Sequence, residues 1–401
     1  GTIVVDPTKA VIEAKAKLNG APAEIDLVEP IGGSPVERQR KVAIVLDNKA
    51  REKIAPGLAT LLDGSVKVQF DAGGEGSERR MQMDLTNAKL DLPWIGWSKG
   101  PGIAATASFR MATTDKTTTL SDFRLEGKSF AVAGNIVLAG GELSSARFGT
   151  VSLNRGDDVN VAIKRAGKGY AVDVSGASLD VRSLIKQVTS EKAGSSKASG
   201  AMTVTVDADV KALTGFHGER LSKVKLEYTG TGDRVVGLDV SAVTDAGSKV
   251  TVIGATERGR RTLEMRSTDA GSVLRFLDLY PHMEGGTIRL ALTGDGDGPM
   301  RGHVDASSFW IVNEPKLASI VATTPPGDQR SLNQAVRSDI DTSRVHFERG
   351  FAAIQKAPGS LLLDRGVLRG PLIGLIFKGT LYDQAGNMNM TGTFMPAYGL
   401  N

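Results

Sequence analysis

The chain has 401 residues, enough for two or three ordinary domains or one extended repeat architecture. Its 48 glycines, 5% aromatic content and abundant Val, Thr, Ser, Asp and Ala suit many short strands joined by tight turns, and they exclude a helical bundle. The 49 basic and 45 acidic residues nearly cancel, so the net +4 supplies no basic stripe for nucleic acid, and the absence of cysteine suits an oxidising compartment without proving one.

In chain order, a helix is predicted over 47–62, with Ala50, Ile54, Leu58, Leu61 and Leu62 near one face and a kink at Pro56. Val66, Val68 and Phe70 then alternate with Lys67 and Gln69, and Met81, Met83 and Leu85 alternate with Gln82 and Asp84. Phe130, Val132, Ile136 and Leu138 keep one parity through Gly134, and Val159, Val161 and Ile163 continue the pattern. Asp180 caps a predicted helix near 180–189 carrying Leu184, Ile185 and Val188. Strands follow at Met202, Val204, Val206 and Val210, and at Val224, Leu226 and Tyr228. Asp269 caps a helix near 270–280 with Val273, Phe276, Leu277 and Tyr280, stopped before Pro281. Ile288, Leu290 and Leu292 form another strand. Glu314-Pro315 starts a helix with Leu317, Ile320 and Val321 behind it, and a further amphipathic turn follows Asp328 through Leu332 and Val336. Met388, Met390 and Phe394 close the series. Each period-two run is a strand with one apolar and one wet face. Turn signals such as Ala72-Gly73-Gly74, Gly140-Gly141 and Gly232-Asp233 imply antiparallel hairpins.

Three helices end alike, with a glycine and then a new strand, at Asp63-Gly64-Ser65-Val66, Ser199-Gly200-Ala201-Met202 and Gly285-Gly286-Thr287-Ile288. This internal repeat divides the chain into a β repeat over 1–100, a second over 101–211, a third over 212–299 and a C-terminal β region over 300–401. The expected fold is mainly β: an elongated, curled antiparallel sheet that forms a groove, with a few short helices.

Sites of chemistry are sparse. His217, His282, His303 and His346 stand far apart without metal-ligand spacing, and no nucleophile elbow, His-Glu-x-x-His or P-loop is present. Gly294-Asp295-Gly296-Asp297-Gly298 resembles a calcium loop but lacks the long array of oxygens and the closing glutamate, so it reads as a flexible turn. The basic clusters Glu78-Arg79-Arg80 and Arg258-Gly259-Arg260-Arg261 fall at hairpin tips as solvated charge. Trp94, Trp97 and Trp310 read as plugs at a sheet end or seam, with lipid contact as the other reading. No enzyme, cofactor or metal is expected. No stretch reaches the about 18 apolar residues that span a bilayer. The start at Gly1 suggests a processed or excised piece.

Two regions carry a family resemblance. Leu92-Pro93-Trp94-Ile95-Gly96-Trp97-Ser98-Lys99-Gly100-Pro101-Gly102, followed by a strand from Ala104 to Arg110, resembles the tryptophan-lysine-glycine element of AsmA-like bacterial envelope proteins, in particular the YhdP-type branch. Phe309, Pro315-Lys316-Leu317-Ala318-Ser319-Ile320, Val345-His346-Phe347-Glu348, Gly359-Ser360-Leu361, Arg369-Gly370-Pro371, Phe377-Lys378-Gly379 and 392–401 follow in the order of the AsmA-like C-terminal module. The resemblance implies a periplasmic chain tethered to the inner membrane by a helix upstream of Gly1, with a sheet that continues past 401. It further implies a role in carrying phospholipid towards the outer membrane, with acyl chains and envelope proteins as partners.

Many one-sided strands and few helices leave apolar faces that either fold on themselves or are filled by something greasy. The expected lipid-groove residues are Val66, Val68, Phe70, Met83, Val132, Ile136, Leu138, Val204, Val206, Leu226, Leu290, Leu292, Phe377, Met388 and Met390. The alternative is a non-transporting, adhesin-like scaffold with a dry core. A carbohydrate-active β-solenoid is disfavoured because no acid–base signature is present.

Overall fold

The computed structural model describes the chain except residues 19, 55–60, 72–77, 93–94, 191–201, 233, 323–340 and 397–401. Among the described residues it is mainly β with four short helices, and the chain divides into two compact units, residues 1–167 and 168–401.

The first unit opens with β1 (Thr2–Val5), β2 (Lys9–Leu18), β3 (Ala21–Pro30), β4 (Gln39–Leu46) and helix α1 (Asn48–Ile54). Then come β5 (Leu62–Gly64), β6 (Val66–Asp71), β7 (Glu78–Asp84), β8 (Ala88–Leu92) and β9 (Trp97–Lys99). It ends with β10 (Ala105–Thr114), β11 (Thr117–Gly127), β12 (Ala131–Ala139), β13 (Glu142–Ser152) and β14 (Asp158–Ala166). Eleven of these strands pair antiparallel in one meander, β1-β2-β3-β4-β6-β7-β10-β11-β12-β13-β14, while β5, β8 and β9 make a separate small sheet. Hairpin chemistry sets the order. Gly140 and Gly141 take φ of 60° and 84° between β12 and β13, the mirror-image turn that matches strand twist.

The second unit holds β15 (Gly169–Asp180), α2 (Arg182–Ser190), β16 (Thr203–Thr214), β17 (Arg220–Thr231), β18 (Arg234–Thr244), β19 (Lys249–Glu257) and β20 (Arg260–Ser267). After α3 (Ala270–Phe276) come β21 (Met283–Asp295), β22 (Met300–Val312), α4 (Pro315–Ala322), β23 (Arg344–Ala357), β24 (Ser360–Arg369), β25 (Ile373–Tyr382) and β26 (Asn389–Pro396). These twelve strands pair in chain order. All pairs are antiparallel except β15–β16, where α2 intervenes and the strands run parallel. Among the described residues β26 pairs only with β25 and β1 only with β2, so neither ladder closes on itself.

The helices begin close to where the sequence puts them. Asp180 accepts from the Arg182 amide at 3.0 Å, and Asp269 accepts from the Ser272 amide at 3.1 Å. Pro315 occupies the first position of α4, where its missing N–H costs nothing. Their ends differ. α1 is described as far as Ile54 and Leu62 belongs to β5, so the helix does not reach 62, while Pro56 and Leu58 lie outside the described residues. α3 ends at Phe276 because the chain turns out at Leu277 and Asp278 adopts φ 57°, leaving Tyr280 beyond the helix. The helix expected after Asp328 lies outside the described residues. No helix among the described residues is long and apolar enough to cross a membrane.

Candidate functional site

Residues paired across an antiparallel ladder project to the same face, so register alone shows what each face carries. In the first unit one row runs Ala16, Ala23, Ile44, Val68, Met83, Ala107, Leu125, Val132, Val151 and Val159, one residue from each of ten strands and every one apolar. The next row includes Phe70, Met81 and Phe109, then Phe123, Gly134, Phe148 and Val161. Phe123 stacks on Phe109 at 6.2 Å and meets Phe148 edge-on at 6.1 Å. A third row carries Met111, Leu120, Ile136, Ala146 and Ile163. The opposite face is wet, with Lys67, Asp84, Thr106 and Glu126 in one row.

Bulges keep these rows on one side. Leu120 and Phe123 are three apart yet face the same way, because the register shifts between them and Asp122 takes φ 52°. The same device sets Phe148 with Val151 on β13.

One end of this face is capped. α1 and the small sheet bury Val66, Leu85, Ala88, Phe130 and Leu153 in a single cluster. Trp97 is its keystone: its ring meets Phe130 edge-on at 5.1 Å, and its Nε1 donates to the Leu153 carbonyl at 2.9 Å. Two residues on, Lys99 is 2% exposed, and its ammonium donates to the carbonyls of Leu85, Thr86 and Ala88. Burial pulls its pKa below the ordinary lysine value, and the nearby Asp84 carboxylate opposes that. The tryptophan-lysine-glycine element therefore works here as a packed plug. Trp94 lies outside the described residues, and Trp310 sits on the wet side between the inward Phe309 and Ile311, with Arg344 4.6 Å from its ring centroid. Away from the cap, Phe70, Phe109, Phe123, Ile136 and Phe148 are only half-buried, while Met81, also half-buried, packs against the cap cluster.

The second unit repeats the scheme. One row runs Val174, Ala208, Leu226, Val240, Val252, Met265, Leu290, Val304, Ala352, Gly366, Phe377 and Gly392 across all twelve strands without a polar side chain. Val206, Leu292 and Met390 belong to the row beside it. Gly366 has no room for a side chain, because the Phe377 ring lies where its Cβ would stand. At one end Val273, Phe276 and Leu317 of α3 and α4 pack with Phe309 and Phe347, whose rings stack at 5.5 Å. At the other, Leu292, Ala352, Ile354 and Leu363 bury one another.

Of the residues expected in the groove, all but Met388 project into these apolar rows or, as with Val204 and Leu138, continue them along a strand. Met388 stands just before β26 and is 46% exposed. Phe109, Phe123, Phe148 and Met81 were not singled out as groove residues, although they supply its aromatic middle. Met81 is legible from its alternation with Met83, whereas the sequence signal of the three phenylalanines is the aromatic spacing, which the bulges take out of simple alternation.

Groups capable of chemistry are dispersed along the chain. His217 contacts Asp278 at 2.6 Å in the open, and among the described residues no group of three or more His, Cys, Asp or Glu could hold a metal. Comparison with family models, with curated proteins and with solved structures returns no match.

Proposed function

We propose that the chain is a periplasmic segment of a bridge-like lipid transport protein of the AsmA-like kind, carrying phospholipid acyl chains along its apolar faces without a chemical step. The observation that carries the reading is the row of Phe70, Met81, Phe109, Phe123 and Phe148, an apolar and largely aromatic surface that has a cap at one end and is only half-buried among the described residues. Water contact along such a row is unfavourable, and each methylene of an acyl chain laid on it gains about 0.8 kcal/mol. The attraction is non-directional, so a chain can slide from strand to strand with little change in energy.

The test is capture of lipid in cells by a photo-crosslinking residue at Met81 or Phe109, against the wet-face position Lys67. Phospholipid adducts at the first two and not at the third are expected. Equal capture at all three, or capture at Lys67 alone, overturns the reading. The scaffold alternative draws its support from the mutual burial of Leu292, Ile354 and Leu363, a stretch with a dry, self-filled core. It predicts no adduct at any position.

A further inference from the structure

On the side away from its helical cap, each apolar face ends at strand ends that carry arginine or lysine side chains. In the first unit the third row continues from Met111 directly to Arg79 on β7. On β4 the alternation of Ile44 and Val42 ends in Arg40, which pairs with Leu27, itself paired with Ile12. Arg79 is exposed and makes no hydrogen bond or ion pair with the described residues. Glu29, a carboxylate on this face, is already shared by Arg38 and Arg40. In the second unit, Arg261 pairs with Gly294 at the corresponding margin, and Lys356 pairs with Met300 and Leu361, its ammonium donating to the Ala357 carbonyl at 2.8 Å and lying 5.7 Å from the centroid of the Tyr382 ring. Arg261 spends one N–H on the Gly298 carbonyl, while its Nε finds no partner among the described residues.

We infer that this margin holds the headgroup of an anionic glycerophospholipid, against Arg79 in the first unit and against Arg261 and Lys356 in the second; the inference rests on the lipid-carrying reading. Acyl chains on the apolar rows bring a phosphate to the strand ends, where a guanidinium presents parallel donors that match two phosphate oxygens. The apolar side chains next to it lower the local dielectric and strengthen the attraction relative to open water. A zwitterionic headgroup brings its own ammonium to the same cations and loses part of that gain. Arg261 and Lys356 stand three strands apart, about 14 Å at the usual strand spacing, so they are separate anchors and not one closed phosphate site. Such a rail selects headgroup charge without fixing any one lipid in place.

The experiment incubates the full chain with vesicles of equal parts phosphatidylglycerol and phosphatidylethanolamine with identical acyl chains, then reads the bound lipids by native mass spectrometry. The bound phosphatidylglycerol-to-phosphatidylethanolamine ratio should exceed the vesicle ratio by about fivefold for each cation engaged at low salt, and by less as salt is raised. A variant carrying Arg79→Gln, Arg261→Gln and Lys356→Gln should return to near parity. The matched wet-face variant Lys67→Gln, Arg80→Gln and Arg289→Gln should keep the enrichment. Bound lipid at the vesicle ratio, or equal enrichment in both variants, overturns the headgroup assignment and leaves the lipid-carrying reading intact. No bound lipid of either kind overturns both. Should the triple variant fail to fold, Arg79→Gln alone, at an exposed position, must still lower the enrichment, and an unchanged ratio there rejects the proposal.

Discussion

Replacing Lys99 by methionine asks whether the buried ammonium or its hydrocarbon stem holds the cap of the first unit. The side chain is 2% exposed and donates to three backbone carbonyls. Two of those carbonyls have a second partner, since Leu85 also accepts from the Ala88 amide at 3.1 Å and Thr86 accepts from Gly102 at 2.8 Å. Lys99→Met therefore does not leave them bare. It removes charge-assisted bonds worth about 1.5–3 kcal/mol each and also removes a desolvation penalty of several kcal/mol. With these terms opposed, a net loss of about 2 kcal/mol is expected for Lys99→Met. Lys99→Ala additionally gives up three buried stem carbons, about 0.8 kcal/mol each, and should cost roughly 4–5 kcal/mol. Denaturant unfolding followed by Trp97 fluorescence separates the two variants. A methionine variant as stable as the native chain, or more stable, would refute the clamp and show that desolvation outweighs the three bonds. In that case the lysine is retained for a reason other than stability.

Met81→Asp should abolish lipid capture while Gln82→Asp on the wet face leaves it unchanged, because an acyl chain laid between Phe70 and Phe109 would strip the water from the new carboxylate without replacing it; co-purified lipid measures both. Asp269→Ala should destabilise the second unit by about 1–2 kcal/mol in denaturant melts, since it removes the side-chain cap on the Ser272 amide. The Tyr280 hydroxyl is largely buried and donates to Glu314 at 2.7 Å, and both effects hold its pKa above the ordinary 10. The unfolded chain then loses this proton first, so its stabilising contribution is present below pH 10 and declines as pH rises past it. Tyr280→Phe should flatten that alkaline decline, and an unchanged pH profile would remove Tyr280 as its source.

Local alternation was enough to read the strands and much of the apolar face. Val68, Met83 and Val132 were legible because a residue's face within one strand depends only on parity, and parity is a property of the chain itself. Asp180, Asp269 and Pro315 announced three helices because a cap acts within a single turn. What no single segment contains is register. That Val68, Met83, Ala107 and Leu125 form one row follows from hydrogen bonds between strands, as does the bulge at Asp122 that turns Phe123 to the side of Leu120. The parallel step at β15–β16 likewise depends on where the chain returns to the sheet after α2. Arg79 reads in the sequence as a solvated charge at a hairpin tip, and only its pairing with Met111 sets it at the margin of the apolar face. Lys99 stands in the sequence only as a member of the tryptophan-lysine-glycine element, and its burial comes from the folded cap, which closes three carbonyls around it. The sequence alone thus determined which residues avoid water, because hydropathy and alternation are local. Tertiary structure decided which of them share a surface and where that surface stays uncovered, because those depend on hydrogen bonds and packing between strands far apart in the chain.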